Sequence, residues 1–296
     1  MVGERTWQVS GGERFAVSEP VRELRVELID GSVNVVGTPG DTARVEVGAV
    51  EGPPLTARHR GGSLSLRYDD LRWPGPLLRP PGAHRRSARI TVSVPSATRV
   101  ALRSERAEVF VSGIAGRTTV SGVAGGSTLV GLSGPAHVRT VSGGVEAQNL
   151  GGALHFGSVS GDLTLVEGGA RVRAESVSGD MIIDVATVAA EAADIRLSTV
   201  SGEVAIQLPD PVDARVEAST TSGSLASAFE ELRLRDGGWR AGPGPRPGRV
   251  VGTLGTGSGR LRATTVTGAM ALLRRPGGPD PAAPRTSATP HPGKDL

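Results

Sequence analysis

Along the middle of the chain, small or apolar side chains alternate with polar ones in short runs, as in Leu154, Phe156 and Ser158, then Val172, Ala174 and Ser176, then Ile195, Leu197 and Thr199. A period of two predicts β-strands with one buried face. Each run ends at a Ser-Gly pair, beyond which the alternation resumes with its parity shifted by one, at Leu163 and Leu165, Met181 and Ile183, and Val204 and Ile206. A glycine in the turn permits that flip because it reaches positive φ without a Cβ clash. Helical spacing competes only over 185–193 and 229–234, where a short helical turn fits.

The runs recur. Ser142-Gly143, Ser160-Gly161 and Ser178-Gly179 are 18 residues apart, and the series continues at wider spacing through Ser201-Gly202, Ser222-Gly223 and Thr267-Gly268. Ile114, Leu132 and Leu150 keep the same interval of 18. A unit of two short strands cannot enclose a core alone, but stacked units satisfy one another's backbone groups and bury a continuous column of side chains. The expected fold is therefore all-β: a single-stranded β-solenoid of repeats 18 to 23 residues long. It would have about ten rungs, on the order of 50 Å long at ~4.8 Å per rung. Leu24, Val26, Leu28, Val33 and Val35 fit the same template, and Leu55, Ala57, Leu64 and Leu66 fit it loosely. An antiparallel sandwich would need no fixed interval. The chain then divides into a lead-in (1–19), the repeat domain (20–273) with loops at 71–89 and 228–249, and a disordered Pro-rich tail (274–296).

The recurring motif stands as Thr140-Val141-Ser142-Gly143-Gly144-Val145, Ser158-Val159-Ser160-Gly161-Asp162-Leu163 and Thr199-Val200-Ser201-Gly202-Glu203-Val204. With the opening Val33-Asn34-Val35-Val36-Gly37-Thr38-Pro39-Gly40-Asp41 and the lead-in Ile90-Thr91-Val92-Ser93-Val94-Pro95, it resembles the bacterial β-strand-repeat family labelled "putative adhesin", a domain of unknown function. The resemblance spans about residues 20 to 273 and implies a non-enzymatic β-solenoid.

Composition narrows the chemistry. With 43 Gly but only 3 Trp, 1 Tyr and 4 Phe, the core must be aliphatic, and an aromatic-lined sugar groove or base-stacking platform is not expected. The absence of Cys excludes disulfides, thiolate metal sites and a cysteine nucleophile. Net charge is only +3, almost all the cations being arginine, too small an excess for an obligate nucleic-acid binder. The N-terminus lacks a signal-peptide pattern and no run is long and apolar enough to span a membrane, so a cytoplasmic monomer without a membrane span is expected.

No G-x-S-x-G elbow, H-E-x-x-H or phosphate-binding glycine loop occurs, so no catalytic residue, metal or cofactor is expected. Ser142, Ser160, Ser178, Ser201, Ser222 and Thr267 are expected to point inward and to form a hydroxyl ladder. Asp162, Asp180 and Glu203 form an acidic column whose backbone hydrogen bonds account for it better than calcium does. One candidate binding site remains. Five positions before each turn Ser stand His137, His155, Arg173 and Arg196, which stacking would align as an outward basic stripe flanked by Arg139 and Arg171. Such a stripe suits an anionic polymer and should strengthen as the histidines charge below about pH 6.5. It could equally be a solvated face on which the arginines pair with Glu175 and Asp194. The expected function is a non-enzymatic binding or structural module for an unknown protein or anionic polymer, linked to envelope or stress response. The alternatives are a self-assembling scaffold and a polysaccharide-processing β-helix enzyme.

Overall fold

The computed structural model describes residues 4–69, 86–186, 193–236 and 248–275. Every regular element among them is a β-strand, arranged in one sheet of 14 strands and a second of 12. Through the middle of the chain consecutive strands alternate between the sheets. Arg99–Ser104, Thr118–Gly122, Ala136–Arg139, Leu154–Gly157, Arg171–Glu175 and Asp194–Thr199 lie side by side in the first sheet. Glu108–Ser112, Ser127–Val130, Val145–Leu150, Leu163–Gly168, Met181–Val185 and Val204–Leu208 do so in the second. All these neighbours are parallel, and the pairing follows the sequence interval, with Leu154 beside Val172 and Leu163 beside Met181.

The alternating apolar positions of both sheets meet in one core. Leu163, Leu165, Ile183 and Ile206 are wholly buried and Val172 is 2 % exposed, as the period of two requires. Ile114, Leu132 and Leu150 fill the corner where the chain leaves the second sheet. One residue earlier in each unit, Gly113, Gly131, Asn149 and Glu167 share positive φ (68°, 62°, 53° and 53°), so this corner is made by a left-handed residue at every 18th position.

The Ser-Gly corner works differently from the sequence expectation. Gly143, Gly161, Gly179, Gly202 and Gly268 are not held at positive φ; a Cβ on each would strike a glycine carbonyl oxygen of the adjoining unit at 1.8 to 2.2 Å. Glycine is required there by close backbone approach. The turn hydroxyls point outward: Ser142, Ser160, Ser178, Ser201 and Thr267 are exposed and Ser222 half-buried. Each donates across to a valine carbonyl in the neighbouring unit, Ser160 to Val141 and Ser178 to Val159 at 3.2 Å. The hydroxyls that line the interior side of the corner stand two residues earlier. Thr140, Ser158, Ser176 and Thr199 accept the glycine N–H of their own turn at 2.6 to 3.2 Å.

At both ends, spatial order departs from chain order. Gly259–Thr265 and Met270–Arg274 insert between Asp194–Leu208 on one side and Ala214–Thr220 with Leu225–Ser227 on the other. At the N-terminal end Leu55–Arg60 and Ser63–Arg67, which fit the repeat only loosely, form an antiparallel hairpin. Beyond them Glu4–Val9 and Gly11–Val17, read from sequence as a lead-in, are the antiparallel outermost strands, with Trp7 stacked on Phe15 at 4.7 Å. The expected loop at 228–249 contains strand Arg233–Asp236, antiparallel to Gly248–Leu254. The loop expected at 71–89 lies outside the described residues as far as 85, and strand begins at Ser87. Over 229–234 one hydrogen-bonded turn forms, Leu232 N–H donating to the Phe229 carbonyl at 3.3 Å, and strand begins at Arg233, while most of 185–193 and nearly all of the tail lie outside the described residues.

Candidate binding face

Because parallel strands of the first sheet stay in register, residues five positions before each turn become neighbours. His137 stands beside His155, His155 beside Arg173 and Arg173 beside Arg196. The four side chains anticipated from the sequence therefore form one outward column. The two imidazoles stack face to face, their centroids 4.7 Å apart and their planes 3° from parallel. An open hollow of about 280 Å³ lies over them, bordered by Arg139, Gly157, Arg173 and Glu175. Gly157 occupies the register position that holds Arg139 in one neighbour and Glu175 in the other, and its missing side chain opens the hollow.

The column continues further than the sequence reading carried it. Arg262 lies directly beside Arg196, and Glu217 follows Arg262. The signal was present, since Arg262 precedes Thr267 by the same five positions. In chain order, however, Glu217 would have intervened, and only the insertion of the last unit brings the two arginines together.

The arginines are already paired. Arg173 directs both Nε and Nη2 at Glu175 Oε1, at 2.9 and 2.8 Å, and Arg196 Nη2 lies 3.1 Å from Asp194 Oδ2. These are the partners that the solvated-face reading names. With all four side chains 42 to 58 % exposed, such pairs are weak and open to exchange with an incoming anion. His137 behaves differently from an exposed imidazole. Partial burial, then the charges of His155, Arg117 and Arg139, hold its pKa below the usual 6.5, so it charges only in more acidic solution than the sequence suggested. Its Nδ1 is buried and finds no hydrogen-bond partner among the described residues.

The opposite sheet differs in charge. From Phe110 onward its equivalent outward column runs Thr128, Glu146, Thr164, Ile182, Ala205 and Ala271 without a basic residue, and in the other direction it reaches Arg14, paired with Glu46, only at the outermost strand. The acidic column of Asp162, Asp180 and Glu203 leads into that sheet, with Asp162 Oδ1 accepting the Asp180 N–H and Asp180 Oδ1 the Glu203 N–H, both at 2.8 Å. The column is thus held by backbone donors of the next unit rather than by a bond local to each turn. No group of three or more potential metal-ligating side chains occurs among the described residues.

No curated protein matches the chain. A crystal structure titled "putative cell adhesion protein", from Clostridium sporogenes, aligns over 93 % of this chain and 100 % of its own, with 10 % identity and a TM-score of 0.28. The model of the Toastrack family, DUF4097, matches residues 21–237, and the chain belongs to that family.

Proposed function

We propose that the chain is a β-solenoid that binds an anionic polymer along its first sheet and performs no catalysis. The observation that carries this reading is the segregation of charge along the parallel stack: one outward column is His137, His155, Arg173, Arg196 and Arg262, while the stretch of the opposite sheet's column from Phe110 to Ala271 has no cation. Parallel stacking repeats these groups at ~4.8 Å, so a flexible polyanion can trade its counterions for several guanidinium contacts at once. Guanidinium forks suit carboxylate and phosphate alike, and the sheet behind them holds the spacing fixed. The non-catalytic half rests on the sequence, which carries no G-x-S-x-G elbow and no H-E-x-x-H motif.

Titration of heparin and of long-chain polyphosphate against wild type and the double variant Arg173→Ala, Arg196→Ala tests the reading. Wild type binds with an affinity that falls as salt rises, and the variant binds at least about tenfold more weakly, the loss of one or two charge-assisted contacts. Equal binding by both proteins, or binding insensitive to salt, contradicts it. Turnover of an ester or polysaccharide that one substitution abolishes would contradict the non-catalytic half.

A further inference from the structure

Further along the stack from the histidines, the first sheet bears a second hollow, of about 470 Å³, bordered by Arg215, Arg249, Arg260, Arg262, Glu217 and Thr253. Four guanidinium groups face one carboxylate. Arg249 and Arg262 share Glu217, at 2.6 and 4.0 Å. Arg215 and Arg260 do not: they are register partners on adjacent parallel strands, and although Asp194 is the neighbour of Arg260 on its other side, that carboxylate is paired with Arg196 and neither Arg215 nor Arg260 makes an ion pair within 4.0 Å among the described residues. Like charges placed directly opposite on neighbouring strands destabilise a sheet unless something neutralises them.

Arg215 is also positioned. The turn Gly255–Ser258 lies against its side chain, the Cβ site of Gly257 being 3.1 Å from Arg215 Cγ. That turn is tied to Asp213, whose carboxylate accepts the Thr256 hydroxyl at 2.7 Å, the Ser258 N–H at 3.0 Å and the Gly257 N–H. One arginine of the pair is therefore braced by a turn, and the other projects from the middle of the sheet on Gly259–Thr265.

We propose that Arg215 and Arg260 form a discrete site for a phosphate or sulfate group, with Arg262 and Arg249 at its edge. A tetrahedral dianion offers oxygens to two forks at once and removes the repulsion between them, which a single planar carboxylate does less completely. The site shares Arg262 with the end of the histidine column, but its two central arginines, Arg215 and Arg260, lie outside that column. It requires a doubly charged group at one point rather than a row of charges along the stack.

The probe is inorganic pyrophosphate, followed by calorimetry and by thermal shift at constant ionic strength, with chloride and acetate as controls. Wild type binds pyrophosphate saturably at one site and neither control ion. Arg215→Ala and Arg260→Ala, both at exposed positions, each weaken it at least about tenfold, and Arg260→Lys, which keeps the charge but loses the fork, also weakens it. Arg173→Ala, whose ion pair is with Glu175 and which does not border this hollow, binds pyrophosphate as wild type does. Unchanged binding in the Arg215 and Arg260 variants, absence of saturable binding, or equal response to acetate overturns the site. Loss of binding only in the Arg173→Ala variant would return the anion to the histidine column.

Discussion

Gly161 and Gly144 are both turn glycines, yet a Cβ on the first would lie 2.2 Å from the Gly143 carbonyl oxygen and one on the second would meet nothing within 4 Å. Gly161→Ala is therefore expected to destabilise the fold by about 2 kcal/mol or more, through displaced backbone, while Gly144→Ala is tolerated. Equal denaturant midpoints for the two variants would contradict the close approach. In the core, Ile183 is wholly buried, and Ile183→Ala should cost about 2 to 5 kcal/mol in urea unfolding, a loss below about 1 kcal/mol being incompatible with its place. At the other corner the left-handed position is glycine in two units, Asn149 in a third and Glu167 in a fourth, the last two at φ 53°. Glu167→Gly should leave stability unchanged or raise it by up to about 1 kcal/mol, since glycine alone takes that conformation without steric cost. A clear loss in the same assay would show that the Glu167 side chain does something the backbone geometry does not require.

At the scale of single elements, two groups make acid destabilising. Hydrogen bonds from Thr256, Ser258 and Gly257 hold the Asp213 carboxyl below its usual pKa, and burial with neighbouring positive charge holds His137 below 6.5. In each case the unfolded chain takes up protons at a higher pH than the folded one. Their contribution is present above the unfolded pKa values, about 6.5 for His and about 3.9 for Asp, and is lost as pH falls through the lower folded ones. Thermal melts should show two separable declines: one starting below about pH 6.5 that His137→Gln removes, and one at carboxylate pH that Asp213→Asn removes. A single decline untouched by either substitution would contradict this assignment. The strand that carries His137 and the one that Asp213 precedes were among the elements legible in the sequence wherever apolar residues alternate, because a half-buried strand imposes that pattern. Arg233–Asp236 was not, since four residues bounded by charge and glycine give too short a pattern to separate from a loop. Nor was the outward direction of the turn serines, because Ser160 and Ser158 are both small hydroxyls and only the hydrogen bonds distinguish the one that crosses to the next unit from the one that closes its own turn.

Over the whole molecule, the interval of 18 foretold the pairing of His137 with His155 and of His155 with Arg173, since constant unit length forces equivalent residues into register. It could not foretell spatial order at the ends. A linker of unequal length lets the last unit dock between two earlier ones, and a one-dimensional repeat carries no trace of that choice. The basic face depends on it, because Arg262 joins the column only where Gly259–Thr265 lies against Asp194–Thr199. The chain has no cysteine, so introduced pairs report proximity without background. Ser198 and Thr264 are register partners, while Ser219 pairs with Thr264 on its far side. Cysteines at 198 and 264 should close a disulfide under mild oxidation, at a Cα separation near ~5 Å, and cysteines at 198 and 219, about two strand spacings apart, should not. Closure of the second pair in preference to the first would restore simple chain order, separate Arg196 from Arg262 and contradict the continuous basic face.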